Sequence, residues 1–199
     1  MQSHQKKLLA ICAVFTIPLV AAAVTFFVLP PAKSMNYGEL VAPVIALPEA
    51  PTALAVTADF SDAKQVNIDR GLRGKWLLVT QDTSDCAERC QKKLYAMRQA
   101  RTIIGREQDR VMRVVLLTDS GTPSAELQAA YKGTVWVKAK DHAWVLALAK
   151  LNAADLSKTT SEIYGVDTVG NLFIRYAYDA DIKRIVKDFS RVMKASQIG

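Results

Sequence analysis

The feature that most constrains this chain is an unbroken run without charge near its start, residues 8 to 29, LLAICAVFTIPLVAAAVTFFVL. As a helix it measures about 33 Å, enough to cross a hydrocarbon core of about 30 Å. The apolar core of a cleaved signal peptide is shorter, roughly 7 to 15 residues, so the run reads as an uncleaved transmembrane anchor. The small residues Ala21, Ala22 and Ala23 leave cleavage open. Lys6 and Lys7 precede the run with no acidic neighbour. By the positive-inside rule residues 1–7 are cytoplasmic and everything after residue 29 lies outside, in a bacterial-type periplasm. Pro18 within the span is compatible with a membrane helix.

That compartment gives the cysteines meaning, because an oxidising space lets thiol and disulfide chemistry be a function. There are three cysteines and two histidines. Three cysteines make no disulfide framework, and two histidines make no multi-imidazole metal site without other donors. Cys12 falls inside the apolar run, where it reads as a small apolar residue. Cys86 and Cys90 are left as a pair.

Five of the seven prolines, Pro30, Pro31, Pro43, Pro48 and Pro51, cluster after the anchor, so residues 30–53 read as a semi-rigid tether and 54–199 as one domain. Val66 and Ile68 suggest a short strand, and the apolar run 76–80 a buried one. A helix follows over 86–104, with Ser84 or Asp85 as N-cap and Gly105 as its stop. The run 111–119 supplies a second strand, giving a strand-helix-strand unit with a parallel pair. A short helix from Thr122 to Tyr131, a strand over 134–139 and a helix over 141–151 come next. Residues 163–167 and 172–177 form an antiparallel hairpin around Val169, Gly170 and Asn171. The closing helix, 181–195, carries Ile182, Ile185, Val186, Phe189 and Met193 on one stripe. The expected fold is α/β, a thioredoxin-like mixed sheet with helices on both faces.

Cys86 and Cys90 are spaced C-x3-C at the start of the first helix of that unit. Positions four apart share a helix face, so two soft ligands converge there or a disulfide closes. Helix N-terminal N–H groups favour a thiolate. Arg89, Lys92 and Lys93 push the same way if they lie near the sulfurs, but the run reads first as a solvated helix face. The pair itself reads either as reactive thiols or as an inert structural disulfide.

Residues 72–79 (LRGKWLLV), the pair in CAERC, the helix with Leu94 and Met97, the strand ending at Asp119 before Thr122-Pro123, and the late VGNLFIRY together resemble SCO/SenC proteins. The likeness covers roughly 60 to 195. It implies a membrane-anchored thioredoxin-fold protein that assists assembly of the binuclear copper centre of cytochrome oxidase, with Cys86 and Cys90 as thiol and Cu(I) ligands and an oxidase subunit or another respiratory assembly protein as partner. Two departures stand out. Ala87 and Gln91 replace the two prolines of the family's CPxxCP, and the family's ligand histidine falls near Thr159, with no histidine after His142. Two thiolates suit Cu(I), whereas Cu(II) prefers imidazole nitrogen. His142, on a helix with Trp144 and Leu146, reads as a helix-end residue. Pro123, the only proline after residue 51, lies in the wrong segment for the cis-proline of thioredoxin-type reductases.

In thiol exchange Cys86, nearer the helix start and expected to be the more exposed, attacks, and Cys90 resolves the mixed disulfide. The alternative function is a non-catalytic interaction scaffold of a membrane complex. A phosphate-binding loop is absent, since the strand-to-helix turn is DTSDC. Leaving out Lys6 and Lys7, the exterior part keeps a basic surplus of +5, which suits anionic lipid or an acidic partner patch rather than nucleic acid. Asp179 and Asp181 are explained by the start of the last helix.

Overall fold

The computed structural model describes residues 2–27, 36–48, 55–56, 72, 74–151 and 162–196. The chain divides into two compact units, Met1–Met35 and Asn36–Gly199.

The first unit contains helix α1 (Gln2–Phe27), with Pro18 inside it. Its segment His4–Thr25 has a mean hydropathy of 2.5 and is long and apolar enough to cross a membrane. The hydroxyls of Thr16 and Thr25 donate to the carbonyls of Cys12 and Ala21, one turn back. Such back-bonding satisfies the hydroxyl groups within the helix itself.

The second unit is built on a seven-stranded sheet. Its strands are β1 (Glu39–Ala46), β2 (Ala55–Val56), β3 (Trp76–Asp82), β4 (Val111–Leu117), β5 (Thr134–Lys138), β6 (Glu162–Val166) and β7 (Asn171–Ala177), in spatial order β1-β7-β6-β3-β4-β5-β2. β3, β4 and β5 run parallel, and β6, β7 and β1 add antiparallel on the β3 side. Every residue of β4 is buried, as a parallel strand covered on both faces should be.

Alternate side chains of these strands feed two cores. On one face Trp76, Leu78, Ile163 and Ile174 pack under Met97 and Ala100 of helix α2 (Glu88–Ile104) and Ile185, Phe189 and Met193 of helix α5 (Ile182–Ala195). On the other, Leu77, Val79, Val114 and Tyr164 pack against Trp144 and Leu148 of helix α4 (Ala143–Leu151). The sequence-expected mixed sheet with helices on both faces is what forms. Helix α3 (Ala125–Ala130) is capped by the Ser124 hydroxyl, which accepts from the Leu127 N–H.

Several expectations shift. Residues 39–46, placed in the tether because of Pro43 and the prolines on either side, form β1. It is an edge strand, and its register with β7 slips between Leu40 and Ile45, where Pro43 leaves no ladder donor missing. Helix α2 begins two residues later than expected, with Ala87 as N-cap and no side-chain cap bond. Gly105 does stop it, at φ 69°, and a 3-10 turn over Gly105–Arg110 replaces the expected loop. The strand suggested by Val66 and Ile68 lies outside the described residues, as does Thr159.

Candidate functional site

The site lies where β3 ends and α2 begins. The apolar strand WLLVT buries itself, then Gln81 and Asp82 turn polar and the chain leaves the sheet. Cys86 and Cys90 are joined as a disulfide, with Cα atoms 5.0 Å apart. Cys86 precedes the N-cap, at φ 43°, the left-handed region where a side chain costs about 1 kcal/mol or more. Cys90 lies in the first turn of the helix. The bridge therefore joins the loop to the helix instead of two positions on one helical face.

The loop is held from several sides. The Cys86 N–H donates to the Thr83 carbonyl at 3.2 Å. The Gln91 Nε2 donates to the Cys86 carbonyl at 3.2 Å, a bond that proline at that position has no group to make. Ser84, expected as the N-cap, is engaged elsewhere: its N–H and hydroxyl both donate to Asp119 Oδ2, at 3.0 and 2.7 Å. Those bonds hold the Asp119 carboxyl below the ordinary carboxylate range. Gly121 completes the clasp, since a Cβ there would sit 1.9 Å from the Ser84 Oγ.

Beneath the loop is a charge that sequence reasoning left on the surface. Lys93 is fully buried; its ammonium donates to the Gln81 carbonyl at 3.0 Å and pairs with the Asp82 carboxylate at 2.8 Å. Burial pushes the Lys93 ammonium below the ordinary lysine range, and Asp82 pulls it partly back. The signal was present: Cys90, Lys93, Leu94, Met97 and Ala100 follow the three-and-four spacing of the helix's inward stripe. Arg89 and Lys92 do face outward. The Arg89 guanidinium lies 5.1 Å from the centre of the Tyr178 ring, and Lys92 pairs with Glu88 at 2.7 Å.

Neither sulfur is freely exposed: Cys86 shows 0% of its surface and Cys90 1%. The expectation that Cys86 is the more exposed thiol is therefore corrected: it packs with Leu94, Val115, Leu117 and Trp136 in the same buried cluster as Cys90. A cleft of about 480 Å³ opens beside Cys90, lined also by Asp82, Ala87, Arg89 and Tyr178.

His142 is not brought to this pair. Its Nδ1 accepts the Trp144 N–H at 3.2 Å, at the start of α4, whose core residues lie on the sheet face opposite α2. Pro123 is buried in the loop after β4, its carbonyl accepting from Gln128. Asp181 caps α5 by accepting the Lys183 N–H at 2.8 Å. Cys12 is exposed on α1.

Among the described residues no group of three His, Cys, Asp or Glu side chains is placed to hold a metal ion. Reduced, Cys86 and Cys90 offer two soft donors, which fits Cu(I) as a cargo; they supply no nitrogen for Cu(II).

Residues 76–196 match the family model described as "Transmembrane-like, thioredoxin-like, C-terminal domain". The chain belongs to that family. Among solved structures, the fold resembles apo Sco1 from Thermus thermophilus at 16% identity and a TM-score of 0.52, covering 81% of this chain and 99% of that one. It also resembles yeast Sco1 with copper bound, at 14% identity and a TM-score of 0.51, covering 63% and 82% of the two chains. At these identities the likeness is one of fold. Among curated proteins no sequence match is found.

Proposed function

We propose that this chain is a membrane-anchored, Sco-like thiol protein of the SCO/SenC type, divergent in lacking the ligand histidine, that assists cytochrome oxidase assembly. Its N-terminus is cytoplasmic and its thioredoxin-like domain periplasmic. Cys86 and Cys90 work either by thiol–disulfide exchange with a partner's copper-ligating cysteines or by passing Cu(I) to them.

The observation that carries this reading is the Cys86–Cys90 bridge at the junction of β3 and α2, with a cleft opening beside Cys90. The apolar helix α1 supports the anchor. Copper enters as cargo, held by the two thiolates of the reduced pair.

Anaerobic metal titration of the reduced chain, with thiols counted alongside, tests it. The expected result is Cu(I) binding that requires both cysteines and disappears in the Cys86→Ser, Cys90→Ser double variant, with little specific Cu(II) binding. Failure of the reduced protein to bind Cu(I), together with unchanged oxidase copper loading in cells carrying the double variant, would remove the proposal.

A second reading has a specific observation in its favour. Both cysteines are almost wholly buried, as a static disulfide in a non-catalytic scaffold would be. The two readings differ in how readily the bridge is reduced.

A further inference from the structure

We propose that Cys90, not Cys86, is the sulfur that exchanges with a partner, reversing the order expected from their positions along the helix. The inference rests on the exchange reading above and assigns its polarity.

Three observations point the same way. Cys90 lines the cleft of about 480 Å³, together with Asp82, Arg89 and Tyr178. Cys86 is not among the residues lining that cleft or the neighbouring one of about 390 Å³ along α2, which shares Glu88, Lys92 and Tyr178 with it. Its backbone is also pinned on both sides, the N–H by Thr83 and the carbonyl by Gln91. Exchange needs an approach to one particular sulfur, so access decides which one reacts.

The charges around the cleft agree with the geometry. Cys90 sits in the first turn of α2, where the helix dipole favours a thiolate. The two carboxylates of the cleft are each tied to a lysine, Asp82 to Lys93 from beneath and Glu88 to Lys92. Arg89 adds one further cation on the same wall. The lining thus balances Asp82 and Glu88 with Arg89 and Lys92, so the helix start is the field that favours a thiolate on Cys90.

The step balances as follows. The Cys90 thiolate attacks one sulfur of a partner disulfide, forming a mixed disulfide and releasing one partner thiolate. The Cys86 thiol, after losing its proton to water, attacks Cys90 Sγ. The Cys86–Cys90 bond forms, the bond from Cys90 to the partner breaks, and the second partner thiolate leaves. Two electrons pass from the pair to the partner, and the reverse sequence lets a partner dithiol reduce the pair.

The test uses the full chain in detergent on a Cys12→Ser background, with glutathione disulfide as probe. Cys86→Ser, which leaves Cys90, is expected to form the mixed disulfide at least about tenfold faster than Cys90→Ser, which leaves Cys86. In the reduced protein with both cysteines present, peptide mapping after limited alkylation with iodoacetamide should find Cys90 modified first, a measurement independent of how well either variant folds. Faster reaction at Cys86 in both measurements overturns the polarity and leaves the exchange function standing. No reaction at either cysteine overturns both.

Discussion

Asp119 holds the loop that leads to Cys86 without touching a sulfur. Its carboxylate takes two bonds from Ser84, two residues before Cys86, and is held below its ordinary range by them. A group whose folded value is depressed contributes stability in full above its unfolded value. That contribution is lost as the pH falls through the folded value. Acid below about pH 4 therefore weakens the clasp. In Asp119→Asn the amide oxygen still accepts from Ser84 but nothing titrates. The urea midpoint of the natural protein should fall more steeply between pH 6 and pH 2.5 than that of the variant; equal slopes would show that the clasp adds no acid sensitivity. Ser84 also explains a sequence-level miss. Its type and position fit an N-cap, but its partner lies 35 residues away, beyond the reach of any local pattern. Lys93 was missed for a different reason: its charge outweighed its place on the inward stripe.

Among the elements, α5 carries two aspartates with different tasks. Asp181 caps its start, and substitution by alanine should cost about 1 kcal/mol. Asp188 is fully buried at mid-helix, where its Oδ2 accepts the N–H groups of Tyr37 and Gly38, each at 2.9 Å, and the Tyr176 hydroxyl at 3.4 Å. Burial, then the neighbouring Asp188 charge, pushes the Tyr176 hydroxyl well above the ordinary tyrosine range. Gly38 must be glycine here, since a Cβ would come within 2.5 Å of the Tyr176 ring. Asp188 thus fastens the chain entering β1 to the helix. Asp188→Ala strands a buried N–H and should lower stability by roughly 2–3 kcal/mol, clearly more than Asp181→Ala, by urea denaturation. Equal losses would mean that the entry to β1 is not held there. Asp181 at the helix start was legible, but the tie through Asp188 was not, because the prolines of the segment argue for an extended tether and only an edge position lets Pro43 join a sheet. The parallel strands, the helix bearing Cys90 and the last hairpin were legible. Their apolar runs and the α5 stripe of Ile185, Phe189 and Met193 bury enough surface to overrule local preference.

At the scale of the whole molecule, the thioredoxin-like domain carries a cysteine pair whose redox behaviour separates the two readings. The fold, shared with Sco proteins, accommodates both a working dithiol and an inert bridge. Burial of both sulfurs favours the second, and the cleft at Cys90 favours the first. The reduction potential of Cys86–Cys90, measured against glutathione buffers in the full Cys12→Ser chain, decides between them. A working couple predicts a value above about −300 mV, within reach of exchange with other thiols, while a value well below about −300 mV would mark a structural disulfide and contradict the account.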